Sequence, residues 1–485
     1  MTASPSPTLA RHDLIARFTE IVGPTGILTD AADTAPFCTD WRDLYHGRAL
    51  AVLRPADTEA LSRIVRLCAE HDVPMVPQGG NTSMVGGATP DGTGREVVIC
   101  LSRMNRIRNI DPHDLTMEVE AGVTLKAAQE AAWEAGFMLP LSISSEGSAQ
   151  IGGVLATNAG GNNTLRYGNA RELVLGLEAV MPDGGVFHGL RRLRKDNTGY
   201  ALRQLLVGSE GTLGFITTAI MQLYPQPREI VAALCAVEDA DAALKLLGLL
   251  RGRDPALVQA FEFMSGTGMD LVTSLIPATS LPLEERAPAY VLVELATPRP
   301  DAELREYAEG VLGDALEAGI ITDAVIAESE GQRAGLWKLR EEHAEAQRRA
   351  GASVKNDVSV PVSHVPELIK RATAACTALI PGIRPAPFGH MGDGNIHFNL
   401  VQPEGIAPEA FLARSHDIMD TVAAIVKELD GSFSAEHGVG QLKPYMMPAW
   451  RGGAELAAMR HIKAALDPRN LMNPGKVLPP ATQDA

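Results

Sequence analysis

The sequence predicts an α+β protein of more than one domain, and three observations carry that prediction. From residue 49 the chain reads strand, amphipathic helix, strand, a β-α-β order. Three glycine-rich clusters then fall between residues 77 and 216, and after Pro225 the texture changes to Ala/Leu/Glu-rich helical segments alternating with short strands. At 485 residues the chain has room for about three domains of ordinary size. Its 45% apolar and 21% charged residues exclude a disordered or fibrous class.

In chain order, the first strand covers Ala49 to Leu53. The helix after it has Asp57 as N-cap and Leu61, Ile64, Val65 and Cys68 at i, i+3, i+4, i+7. A second strand, Pro74 to Val76, runs into the first glycine cluster, Pro77 to Gly87. Val97 to Leu101 reads as a strand, Met117 to Val123 alternates, and Leu125 to Ala135 is helical. The second cluster spans Ser144 to Gly161 and the third, Val207 to Ile216, ends in a β-like stretch. Beyond Pro225, Tyr290 to Glu294 is a strand. Glycine-rich character returns at 387–397 and 431–440, before a last helix, Ala454 to Leu466, and a closing Asn-Pro-Gly-Lys at 473–476.

Forty-three basic against 59 acidic side chains leave a net charge of −16. That balance excludes non-specific binding of nucleic acid or an anionic membrane. Cys38, Cys68, Cys100, Cys235 and Cys376 are scattered, odd in number and never in a CxxC pair, which fits no disulfide framework, zinc-thiolate or iron-sulfur site. The amino terminus is a Pro/Ser tail and a charged amphipathic stretch without the apolar core of a signal peptide, and no apolar run approaches the ~20 residues of a membrane span. A cytoplasmic location is the expectation.

Glycine lets backbone approach a ligand and permits the positive φ that turns successive N–H groups toward one anion. The first cluster therefore has the character of a pyrophosphate cradle, although its spacing is neither G-x-G-x-x-G nor G-x-x-x-x-G-K-[ST]. One such cluster is most simply a tight turn; three suggest convergence on one ligand. PQGGNTSMVGG (77–87), SSEGSAQIGGVLATNAGGNNTLRYGNARELVLGLEAVMPDG (144–184) and VGSEGTLGFIT (207–217) together resemble the FAD-binding domain of flavoproteins of the vanillyl-alcohol oxidase type. The resemblance implies that Pro77, Gly79, Gly80, Asn81 and Thr82, with Gly86 and Gly87, wrap the FAD pyrophosphate. It implies that Ser145, Gly147, Gly152, Gly153, Asn158, Gly160, Gly161 and Asn473 line the rest of the cofactor, with Gly211 and Ile216 on the adenine side. Members that attach flavin covalently often carry histidine in the first loop; Asn81 stands here, which implies non-covalent FAD.

The segment from Phe388 to Leu400 carries most of the remaining chemistry. From Asn395 on, polar residues alternate with Ile396, Phe398 and Leu400, so a strand would put Asn395, His397 and Asn399 on one face. His390 is seven residues before His397, on the wrong face of a continuous strand, and Gly392 and Gly394 offer the bend that brings it back. Two imidazoles plus a carboxylate suit a catalytic divalent metal with an open position, and Glu436, beside His437 in a glycine loop, is the candidate carboxylate. Hydrogen-bonded core or surface histidines are the competing reading.

H-x-G-D-G-N-x-H followed by E-H-G is similar to the carboxy-terminal half of FAD-linked D-2-hydroxyacid dehydrogenases. That resemblance implies a PCMH-type FAD-binding domain of two α/β subdomains over 1–225. It implies a substrate (cap) domain with an antiparallel sheet flanked by helices and the metal-ligand strand over 226–430, and a small helical segment with the Glu-His-Gly loop over 431–485. It assigns His390, His397 and Glu436 to the metal, zinc by preference, and His437 to general base. It assigns Arg340 in Trp337-Lys-Leu-Arg340 and Lys355 to substrate carboxylates, and Asn395 and Asn399 to orientation. The implied reaction is metal-assisted oxidation of D-2-hydroxyglutarate to 2-oxoglutarate with hydride passing to flavin N5. D-lactate, D-malate or glycolate are the close alternatives, because Ala344 stands four residues after Arg340 where a threonine is expected. Electrons would leave to electron-transfer flavoprotein or a quinone-linked partner, and a homodimer is left open. A non-catalytic flavin subunit and a zinc hydrolase are the competing classes; the intact histidine and glutamate set opposes the first and the FAD-type loops oppose the second.

Overall fold

The computed structural model describes residues 10–480. The Pro/Ser stretch at the amino terminus lies outside them, but the amphipathic stretch that follows is a helix, Arg11–Val22, burying Leu14, Phe18 and Val22. The chain forms two compact units: 1–160, 168–225 and 436–485 make one, and 161–167 with 226–435 make the other. Segment 431–485 is thus divided, its first five residues in the second unit and the rest in the first. Helices and sheets occur in both, the α+β class expected.

The first unit contains a four-stranded sheet in the order Ile27–Leu28, Ala51–Leu53, Val97–Cys100, Met75–Gln78, the last three parallel. The β-α-β unit is there, but its two strands are not neighbours: Val97–Cys100 lies between them. Its helix, Thr58–Glu70, starts where Asp57 Oδ1 accepts the Ala60 N–H at 2.8 Å, and Leu61, Ile64, Val65 and Cys68 are fully buried. A second sheet is antiparallel, ordered Ile107–Asp111, Thr116–Glu120, Phe215–Gln222, Val174–Val180, Val186–Gly189.

The carboxy-terminal stretch completes the core of this unit. Leu471 and Met472 pack with Phe18, Leu61 and Met75, the Met75 N–H donates to Leu471 O at 2.8 Å, and the Asn473 N–H donates to Met75 O at 2.8 Å. This backbone pairing delivers Asn473 to the strand that leads into the first glycine cluster.

The second unit is organised by a seven-stranded antiparallel sheet, ordered Asp323–Ile326, Glu229–Val237, Ala289–Thr297, Val258–Ser265, Phe388–Gly389, Asn395–His397, Asp357–Ser359. Helix Glu330–Glu341 packs on it through Leu336 and Leu339. The alternation read from 395 to 399 is only partly strand: pairing ends at His397, and Leu400–Val401 joins a different sheet beside Ser353–Val354 and Arg384–Pro385. The cause lies in the next two residues, where Phe398 N–H bonds Asn356 O and Asn399 N–H turns back to His397 O.

If Met472 belongs to the core, Met472→Ala costs about 2–5 kcal/mol, read as a lower Tm. A loss within ~0.5 kcal/mol, the usual surface value, would show that the carboxy-terminal stretch merely rests on the unit.

Candidate functional site

In the first unit the three glycine clusters converge. A Cβ on Gly80 would stand 1.9 Å from Ser148 O, so the first and second clusters approach at a distance only glycine allows. A Cβ on Gly211 would meet the Pro77 ring at 2.9 Å, bringing the third cluster against the first. Asn473 Nδ2 spans two of them, donating to Gly87 O at 2.9 Å and Glu210 O at 2.8 Å.

Glu210 itself accepts the N–H groups of Val439 and Gly440 at 2.8 and 2.7 Å, which fixes the backbone just after His437. Desolvation pushes the Glu210 carboxyl up, opposed by those two N–H groups and by the Lys443 charge. Gln441 Nε2 holds Gly86 O at 2.8 Å.

The Asn81 side chain donates to Thr39 O at 2.9 Å, and Asn158 Oδ1 accepts the Arg171 N–H at 3.0 Å; both residues have positive φ. Gly152 packs against Ala121, Ile216 is buried in its strand, Gly160 is buried, and Gly161 falls in the second unit's short segment. Thr82 and Ser145 are half-buried.

Two features of these loops fit a large polar ligand. Gly147 and Gly153 have nothing within 4 Å of a Cβ position, so their backbone faces open space. The buried Gln150 Oε1 and Asn473 Oδ1 have no hydrogen-bond partner among the described residues.

In the second unit, antiparallel register builds the other half of the chemistry. Phe388–Gly389 and Asn395–His397 form a hairpin with Phe388 opposite His397, and its turn carries His390. The reversal is a hairpin turn in which Gly389 and Gly394 have positive φ, and a Cβ on Gly394 would stand 2.1 Å from Val360 O. The His390 and His397 rings meet edge-on at 5.7 Å between centroids, and a ring nitrogen of each lies within 4.8 Å of the other.

Each histidine has a buried carboxylate on a neighbouring strand. The pairing Phe263 to Gly389 places Glu262 beside His390, and Glu262 Oε1 is 2.7 Å from His390 Nδ1. Asp357 pairs with His397, their Oδ1 and Nδ1 3.7 Å apart. Such carboxylates behind imidazoles are the usual support of metal-binding histidines. Asn395 donates to Asp357 Oδ1 at 3.0 Å and Val358 O at 2.9 Å, so it braces the strand, while Asn399 donates to Gln347 Oε1 at 2.9 Å. Ala435 N–H is bonded to Asp357 O at 3.2 Å, which anchors the end of the second unit's chain to that strand.

Arg340 is not the loose surface cation its sequence context allows. It is 6% exposed, its Nε donates to Glu262 Oε2 at 2.6 Å, and its guanidinium lies 4.9 Å from the Phe388 ring centroid. Burial alone would raise the Glu262 pKa, but the charges and hydrogen bonds of His390 and Arg340 outweigh it and hold it down at about 2. Lys355 is half-buried between the Ser353–Val354 and Asp357–Ser359 strands.

His343, three residues beyond Arg340, stacks on Phe388 at 5.0 Å and 25°. Burial, and then the Arg340 charge, push its pKa to about 3, keeping it neutral. Glu262, Asp357, Glu210 and His343 are absent from the residues singled out by sequence. A signal for Glu262 does exist: a lone carboxylate in the apolar run Val258–Ser265 must find partners.

The match to known families agrees with this geometry. Residues 49–189 match the FAD binding domain model and 226–477 match the model of FAD linked oxidases, C-terminal domain. The chain belongs to the FAD-linked oxidases. It is an FAD-linked oxidoreductase with a PCMH-type FAD-binding fold.

Among similar proteins, this FAD-linked oxidase is 35% identical over 457 residues to a D-2-hydroxyglutarate dehydrogenase of Xanthomonas citri pv. viticola, covering 94% of each chain. It is 36% identical over 479 residues to the mitochondrial D-2-hydroxyglutarate dehydrogenase of Bos taurus, covering 98% of this chain and 85% of that one. A p-cresol methylhydroxylase structure superposes with a TM-score of 0.75 at 17% identity, covering 96% of each, and so shares the fold. Among the described residues no helix is long and apolar enough to cross a membrane.

Gly80→Ala places a methyl group 1.9 Å from Ser148 O, so the purified variant should hold far less flavin than the wild type by absorbance. Gly92→Ala, with open space around its Cβ, is the control and should hold as much. Equal flavin in both variants would mean that the first two clusters do not form the cofactor cradle.

Proposed function

We propose that this flavoenzyme oxidises D-2-hydroxyglutarate to 2-oxoglutarate. The observation that carries the reading is the His390–His397 pair, each ring backed by a buried carboxylate, with the buried Arg340 sharing one of them. Identity above 30% to D-2-hydroxyglutarate dehydrogenases over nearly the full chain supports the substrate.

In this reading Pro77, Gly79, Gly80, Asn81, Thr82, Gly86 and Gly87 hold the pyrophosphate of a non-covalent FAD, Asn81 being committed to Thr39 O. Ser145, Gly147, Gly152, Gly153, Asn158, Gly160, Gly161, Gly211, Ile216 and Asn473 line its remainder. His390, His397 and Glu436 hold a divalent metal, zinc first. FAD supplies the two-electron acceptor and the metal supplies Lewis acidity when they are bound.

The residues of the chain do the rest. Arg340 and Lys355 bind the carboxylates, Arg340 by the forked donors that suit a planar anion. Asn395 and Asn399 hold the histidine strand and its exit in place. His437, in neutral form, takes the proton of the C2 hydroxyl as the C2 hydrogen leaves as hydride. The products are the 2-oxo acid and a proton on His437, and two electrons pass to an external acceptor. The five cysteines are scattered along the sequence and never in a CxxC pair, so the proposed recipient is an external one, electron-transfer flavoprotein or a quinone-linked protein. Ala344 favours a second reading, a shorter substrate such as D-lactate, D-malate or glycolate.

A stereospecific screen of 2-hydroxy acids with a dye acceptor, with and without chelator, tests the substrate and the metal together. D-2-hydroxyglutarate should give the highest kcat/KM, chelation should abolish turnover and Zn2+ should restore it. A preference for a monocarboxylate overturns the substrate, and indifference to chelation overturns the metal. His437→Ala should keep its flavin and lose about 10²–10⁴-fold in kcat, the usual share of a general base. Near-normal kcat in that variant would remove His437 from the mechanism.

A further inference from the structure

We propose that Glu262 is a positioning residue that couples the substrate anchor to the metal-binding pair. One buried carboxylate sets which nitrogen His390 offers to a ligand and fixes the Arg340 guanidinium beside it. The inference rests on the reading of the site as a metal-assisted 2-hydroxy acid dehydrogenase.

The two oxygens of Glu262 are divided between two partners. Oε1 is 2.7 Å from His390 Nδ1 and Oε2 is 2.6 Å from Arg340 Nε. An ionised carboxylate can only accept, so His390 carries a proton on Nδ1 and, when neutral, has its lone pair on Nε2. Arg340 is permanently charged and its Nε–H can only donate.

The three groups are shielded from water. Glu262 is 1% exposed, Arg340 6% and His390 7%, and Phe388 lies beneath both the guanidinium and the His397 ring. The sheet enforces the arrangement, because the register of Val258–Ser265 with Phe388–Gly389 leaves Glu262 next to His390. Glu262 therefore acts through other residues and need not touch substrate.

The chemistry of glutamine makes this testable without changing volume. A glutamine at 262 has one acceptor oxygen, which the Arg340 Nε–H must take. Its NH2 group then faces His390 Nδ1, which can accept only if the ring proton moves to Nε2. The nitrogen that a metal needs is blocked while the side chain keeps its shape.

The test compares wild type, Glu262→Gln and Arg340→Lys as flavin-loaded full-length proteins, with flavin content and circular dichroism as the check on folding. Zn2+ affinity is titrated without substrate, and kcat and KM for D-2-hydroxyglutarate are measured afterwards. Glu262→Gln should bind Zn2+ about 10–100-fold more weakly, the range seen when the outer partner of a ligating histidine is removed, with flavin unchanged. Arg340→Lys, whose ammonium lacks the fixed fork, should also weaken Zn2+ binding, by a smaller factor, although Arg340 is no metal ligand. Unchanged Zn2+ affinity in folded Glu262→Gln overturns the coupling, as does unchanged affinity in Arg340→Lys should the glutamine variant not fold. A wild type that binds no Zn2+ and oxidises no 2-hydroxy acid overturns the underlying reading, and the coupling with it.

Discussion

Burying a carboxylate in a β-sheet is the constraint on which the second unit depends. Moving an ionised carboxylate out of water costs several kcal/mol even after relaxation, so each must find donors. The sheet buries three, Glu262, Glu294 and Asp357. Glu294 takes Gln259 Nε2, Arg333 Nη1 and Trp337 Nε1 at 2.9, 3.0 and 2.6 Å; Glu262 takes Arg340 and His390; Asp357 takes Asn395 and faces His397. Trp337, Arg333 and Arg340 all belong to helix Glu330–Glu341, so two neighbouring strands pin that helix at two points. Its translation and rotation on the sheet are thereby fixed, and the position of Arg340 follows from them.

In the first unit the corresponding constraint is close approach of backbone. Its glycine loops come together at distances a side chain would forbid, and the carboxy-terminal stretch ties them. Lys463 Nζ bonds Thr212 O, Met472 O and Asp467, holding the third cluster to the final turn of the chain. Burial lowers the Lys463 pKa and the Asp467 charge opposes that shift, so the lysine is held by the three oxygens that replace its water. A segment that is remote in sequence is in this way part of the loop geometry it closes.

What the sequence made legible was local. The N-cap of Asp57, the helix at 454–466, the glycine clusters and the His390–His397 spacing are patterns of contiguous sequence, and the structure contains each of them. Pairings between distant residues were not legible. Glu262 and His390 are 128 residues apart, and only strand register brings them together. The same limit explains Asn399: alternation predicted one face through residue 399, but the competing bonds of Phe398 and Asn399 end the strand at His397. Arg340 shows the opposite case. Its identity as an anion-binding residue was suggested by a motif, yet its commitment to Glu262 depends on a carboxylate that the motif does not contain.

That commitment changes the meaning of the net charge of −16. A chain so acidic needs local cations to hold a dicarboxylate, and Arg340 and Lys355 are the two proposed for that role. Each lies near a buried acid: Glu262 compensates Arg340, and Asp357 is two residues from Lys355 in the chain. The four formal charges sum to about zero, which gives a dianion little net attraction. Histidines that ligate a metal are neutral and add nothing to that sum. A divalent cation on His390 and His397 is therefore the element that would turn a neutral cluster into an anion site, and the proposed metal would serve substrate binding as well as the chemistry at C2.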